Sequence, residues 1–176
     1  MDFPPSAGPV DQLFNDYHSL SNSLGADAVS DHVALDTHFR KLFVLAAASH
    51  LESLMSFHMH EYFAGLGSTP YEFIRRESLE RKFFRWFNFD SPKPTSFFKS
   101  FGTACHELYA AQAADNEPFD KAGQSFMFLC TARNTIVHEN LATATLEATA
   151  SEIEKHFRSA VEFPDMAMRI VRQAAG

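Results

Sequence analysis

β-Branched aliphatic residues are scarce in this chain, with 7 valines and 4 isoleucines among 176 residues against 19 phenylalanines. A large sheet therefore lacks its usual material, and an all-α fold is expected. Only two cysteines are present, Cys105 and Cys130. Both fall in apolar, helical-looking segments without metal-ligand spacing, so they read as buried, reduced thiols. Histidine is plentiful, at nine residues. Yet no two histidines lie four apart, no glutamate precedes one by three, and His58 and His60 project to nearly opposite sides. Those are the spacings that set ligands on one helical face, so no metal and no cofactor is expected. A glycine-rich phosphate loop of the strand-loop-helix kind is also missing. Basic charge is in deficit, with a formal net charge of -7. That argues against sequence-blind binding of nucleic acid over the whole surface, so any RNA contact must be local. The first residues show no basic region followed by an apolar run. No later stretch reads as long and clean enough to span a bilayer, so a cytoplasmic protein without membrane contact is expected.

What is there suits one helical domain spanning residues 1–176, with residues 1–8 disordered and five or six helices in a bundle. Pro9 can open a helix carrying Val10, Leu13, Phe14, Tyr17 and Leu20 inward, with Gly25 ending it. Asp36 reads as the N-cap of the longest helix, over residues 37–64, which is apolar nearly all round and so buried on several sides. Its polar exceptions include Ser49, His50 and Glu52. Thr69-Pro-Tyr-Glu72 reads as a capping box opening a helix to about residue 88. On that helix Arg75, Lys82 and Arg85 share a sector of roughly 80°, a compact basic stripe. It reads either as a solvated face balanced by Glu77 and Glu80 or as a surface that holds substrate phosphates. A further helix is expected from residues 95 or 96 to about 113. Thr149-Ala-Ser-Glu152 is a second capping box, and Pro164 should interrupt the helix that it opens.

The segment around which the rest is organised is Cys130-Thr-Ala-Arg133-Asn134-Thr-Ile-Val-His138-Glu139-Asn140. Phe126, Leu129, Cys130, Ile136 and Val137 keep the spacing of one buried helical stripe, and Arg133 falls near its middle. An unpaired guanidinium there would cost several kcal/mol to desolvate. Arg133 should therefore meet a carboxylate such as Glu52, a phosphate, or another subunit. Asn134 and His138 stand at i and i+4, as stacked neighbours on the flank of that face. Histidine can carry a proton near neutral pH, arginine grips phosphate oxygens bidentately, and asparagine can orient either. Cys130 lies about 12 Å along the axis from His138, too far to be a nucleophile served by it. In a chain of this composition, an arginine five residues before a histidine with asparagine following the arginine is expected by chance roughly 0.02 times.

The string Arg133-Asn134-Thr-Ile-Val-His138 resembles the R-N-x-x-x-H signature of HEPN domains, small helical bundles that carry it on a late helix preceded by a long apolar one. Among them the chain is most similar to the bacterial HEPN ribonucleases of conflict and defence systems. The resemblance implies a metal-independent endoribonuclease that acts as a homodimer through the motif helix, with Arg133, Asn134 and His138 as catalytic residues. It also implies an RNA substrate, a toxin or defence role, and a cognate antitoxin as partner. Attack by a ribose 2′-OH on its own phosphodiester needs a base, an acid and positive charge on the phosphate. One chain supplies one such histidine, and a two-fold pair supplies two. Glu52 and His50 are candidates to support the motif, and Arg75, Lys82 and Arg85 to hold substrate phosphates. The alternative is a non-catalytic HEPN module that binds a nucleotide or a partner protein.

Overall fold

The computed structural model describes residues 4–139 and 141–176, so residues 1–3 of the segment expected to be disordered, and Asn140, lie outside the described residues. Helix α1 (Gly8–Ser23) packs on α2 (Val29–Ala64), with Val10 and Phe14 buried between them. There follow α3 (Ser68–Ile74), a π-helical turn (Arg75–Leu79), α4 (Phe83–Trp86), α5 (Thr95–Ser100) and α6 (Thr103–Asp115). Helices α7 (Glu117–Glu139), α8 (Ala150–Ala160) and α9 (Phe163–Ala174) complete the chain. Among the described residues there are thus nine α-helices, or eight if α8 and α9 count as one bent pair, and no strand. The all-α class stands; the count of five or six helices is too low.

The extra helices come from breaks that local periodicity does not show. The expected helix from residue 95 to 113 folds back at Gly102, whose φ of 99° lies in the left-handed region open to glycine. That reversal stacks Tyr109 of α6 on Phe98 of α5 at 4.2 Å, with the ring planes 9° apart. The expected helix from 69 to 88 is divided into α3, the π turn and α4, because its aromatic residues meet different partners. Phe83 and Phe87 pack on Phe126 of α7 at 6.2 and 5.1 Å, and the Trp86 indole N–H donates to the Ser78 carbonyl at 2.8 Å. Thr69 is not the cap of α3: the helix starts at Ser68 with Gly67 as N-cap, so Pro70 falls within the first turn, where its missing N–H costs nothing. The second capping box is present, with Thr149 and Glu152 each bonding the other's backbone N–H. Pro164 sits in the first turn of α9, just past the bend.

Asp36 is also not a cap, because α2 begins seven residues earlier, at Val29. Its carboxylate instead accepts from the Tyr17 hydroxyl at 3.1 Å and pairs with Arg40 at 2.9 Å, fastening α1 to α2. Arg40 also donates to the Leu146 carbonyl at 2.9 Å, and the buried Lys41 ammonium donates to that of Leu141 at 2.8 Å. Two cations from α2 therefore hold residues 141–148, which follow the motif and precede α8. By length and composition α2 could cross a membrane, since its most apolar window has a mean hydropathy of 1.2. Half of that window is buried inside the fold. This corrects the expectation that no stretch of the chain is long and apolar enough.

Phenylalanine fills the core. Phe14, Phe43 and Phe157 join α1, α2 and α8, with ring centroids 4.3 and 6.0 Å from Phe14, and Phe126 meets Phe163 of α9 at 4.9 Å. Gly123 lets α7 come this close, since a Cβ there would stand 3.2 Å from the Phe163 ring and 3.3 Å from Pro94.

Burial holds the imidazoles of His50, His60 and His156 below the usual histidine range. Between those depressed values and about 6.5 the unfolded chain binds protons that the folded chain does not, so stability falls as the pH drops through this window. The urea midpoint is therefore expected to be lower at pH 5.5 than at pH 7.5, with a smaller drop in His50→Gln. A midpoint that is flat over that interval would contradict it.

Candidate active site

Helix α7 carries the motif. Its start is fixed by Asn116, whose side-chain oxygen accepts from the Phe119 N–H at 3.2 Å. Phe119, Ala122, Phe126, Leu129, Cys130 and Ile136 are buried along it. Cover thins towards its C-terminus, where Val137 is 52% exposed and His138 is exposed as well. Val137 is therefore not part of the buried stripe to which its spacing assigned it. The register runs antiparallel to α2, with Arg133 near Glu52 and Leu141 at Lys41.

Arg133 is half-buried, and within the described residues it meets an aromatic ring and an amide, not a carboxylate. Its guanidinium lies over the Phe84 ring of α4, 4.4 Å from the centroid, and donates to the Asn134 side-chain oxygen at 3.3 Å. The ring face is electron-rich and covers one side of the cation, which lowers the desolvation cost without a counter-charge. No ion pair joins Arg133 to Glu52 among the described residues. Burial raises the Glu52 carboxyl above the usual range, and the pull of Arg133 only partly offsets it. Nearby Cys130 is inert, its thiol pushed far up by burial.

Asn134 is half-buried, and His138 lies one turn further along on the same side. Arg133 and Asn134 are thus directly joined, and His138 stands beside them with its ring open to solvent. His50, although only two residues from Glu52 in α2, points elsewhere: its ring packs against Phe157 of α8 at 5.8 Å and its Nε2 has no hydrogen-bond partner among the described residues. The structure brings Glu52 to the motif and leaves His50 on another face of α2.

The basic stripe is divided as well. Arg75 is tied to Glu72 at 2.8 Å and to Glu80. Lys82 and Arg85, beyond the π turn, form no ion pair among the described residues and border a separate cleft. No group of three or more candidate metal ligands occurs among the described residues.

One side chain at α7 escaped the sequence reading. His156 of α8 stacks on Phe128 at 4.2 Å, with its Nδ1 3.0 Å from the Ser125 hydroxyl. Together with Gln124, Met127 and Thr131 it borders an open groove of about 550 Å³. Thr131 precedes His138 by seven residues, two turns along the same side. Nothing in the spacing of His156 marks it, since only the packing of α8 on α7 brings it there.

Comparison of the chain with protein-family models, curated proteins and solved structures returned no match.

Because desolvation outweighs the attraction of Arg133 at Glu52, Glu52→Gln should leave stability unchanged or raise it. A chemical-denaturation loss of more than about 1 kcal/mol, the upper range for an exposed pair, would instead reveal a strong ion pair.

Proposed function

We propose that this chain is a HEPN-like, metal-independent endoribonuclease, cytoplasmic and acting as a homodimer, in the role of a toxin or defence effector. The observation that carries the reading is Arg133 held by Phe84 and Asn134, one turn from a solvent-open His138. A guanidinium fixed by a ring and an amide keeps its remaining N–H groups for phosphate oxygens, without a carboxylate competing for them. His138 takes or gives the proton of the ribose 2′-oxygen or the leaving 5′-oxygen.

Three exposed apolar side chains support pairing through this end of α7. Val137 and Leu141 flank His138 at 52% and 46% exposure, and Leu42, at 43%, neighbours the Lys41 that holds the Leu141 carbonyl. A two-fold contact over them would bring a second Arg133-Asn134-His138 set beside the first, supplying both an acid and a base.

The test is incubation of the purified protein with RNA in EDTA. Cleavage should persist and leave 2′,3′-cyclic phosphate ends, since an internal 2′-OH needs no metal-activated water. His138→Ala should lose a factor of about 10² to 10⁴ in rate. Ends bearing 5′-phosphate, or activity abolished by the chelator, would refute the reading.

A mixed dimer of wild type and His138→Ala, isolated through different tags, should retain far less than half of the wild-type rate. A heterodimer that stays assembled and cuts at half rate would show two independent sites.

A further inference from the structure

On the other side of α4 from the Phe84–Arg133 contact, the chain forms a half-open cleft of about 470 Å³. Met59 and Phe63 of α2, Leu79, Trp86 and Phe101 give it apolar and largely aromatic walls. The Trp86 indole is fixed by its bond to the Ser78 carbonyl at 2.8 Å. At the mouth the walls turn basic: Lys82 and Arg85 border the cleft and also an adjoining surface hollow that contains Arg76 and Arg81. Among the described residues Lys82, Arg85 and Arg81 form no ion pair, while Glu80, the carboxylate of that hollow, is engaged by Arg75. In a chain of net charge -7 this is a local excess of unneutralised cations. The backbone here is unusual too. The π turn Arg75–Leu79 leads into Arg81, whose φ of 56° is the only positive value at a non-glycine residue among the described residues. Such conformations are strained for a residue with a side chain and gather where a site must be shaped.

We propose that this cleft is a nucleoside-phosphate site, with the base between the aromatic walls and the phosphate on Lys82 and Arg85. Flat walls in a half-open cleft suit a planar base, and the basic mouth suits the anion attached to it. Glu77 selects the ring. Glu77 borders the cleft, exposed and, among the described residues, without an ion pair. An aliphatic tail would desolvate it for no return, whereas a base with adjacent N–H donors satisfies it. Guanine presents two such donors on one edge, so guanine is the preferred base. The source is either a free nucleotide or a guanosine within single-stranded RNA. The site stands apart from Arg133 and His138 and does not depend on their cutting RNA.

Trp86 is the only tryptophan of the chain, so its emission reports on the cleft. The His138→Ala protein, chosen to prevent cleavage, is titrated with GMP, AMP, UMP and a short guanosine-containing oligoribonucleotide, with laurate as the aliphatic control. GMP should change the emission saturably and bind at least tenfold more tightly than UMP. Lys82→Ala/Arg85→Ala, on exposed or half-exposed positions, should weaken GMP at least tenfold with helical content unchanged. Glu77→Gln should remove the preference for GMP over AMP. An oligoribonucleotide that binds tenfold or more tighter than GMP, with the same dependence on Lys82 and Arg85, identifies RNA as the source; equal or weaker binding identifies the free nucleotide. No saturable response to any nucleotide, a response indifferent to Lys82 and Arg85, or saturation by laurate alone overturns the proposal. Because the readout is binding to a cleavage-disabled chain, its failure leaves the ribonuclease reading untouched, and absence of cleavage leaves this one untouched.

Discussion

Burial of α2 is the constraint on which the rest of the molecule depends. A 36-residue helix that is apolar nearly all round exposes far too much surface to stand alone in water, and helices α1, α7, α8 and α9 each cover part of it. Phe43, Val44, Ala47, Leu51 and Met55 are fully enclosed by that cover. Each surrounding helix needs only one apolar stripe to take its place, so the polar residues of α7 are free to collect on the flank of its stripe and at its last turn.

The motif lies where that cover runs out. Towards its start α7 is closed in by Phe83, Phe87, Pro94 and Phe163, and at its last turn Val137 and His138 are open to solvent. Arg133 lies at the transition between the two, close enough to the core to be fixed by Phe84 and far enough out to be only half-buried. An aromatic partner suits that position, because it shields the cation without neutralising it. Arg40 and Lys41 then hold the chain that leaves the motif by its carbonyl oxygens, where apolar packing is sparse.

Aromatic packing explains why the middle of the chain is irregular. Phe83, Phe87, Phe97 and Phe98 are all buried, yet they lie within 16 residues of one another and face several neighbours. One uninterrupted helix over 69–88 could not send Phe83 and Phe87 to Phe126 and Phe84 to Arg133 while leaving Phe73 in solvent. The π turn and the left-handed Arg81 re-aim the chain between those demands. The same re-aiming separates Arg75, held by glutamates, from Lys82 and Arg85.

Much of this protein was determined by the sequence alone. Scarcity of β-branched residues made the fold all-α, the unbroken apolar circumference of α2 made it the central helix, and Thr149 with Glu152 set the start of α8. The spacing of Arg133, Asn134 and His138 put them on neighbouring turns of one helix. These are properties of local conformation, in which each residue's role follows from neighbours three or four positions away. Tertiary structure decided what periodicity cannot carry: where helices break, that Arg133 rests on Phe84 and not on Glu52, that His50 faces Phe157, and that His156 reaches α7. The reason is physical. A helical spacing determines which side chains share a face, but the partner that meets that face lies tens of residues away in the chain and is selected by the packing of the whole core.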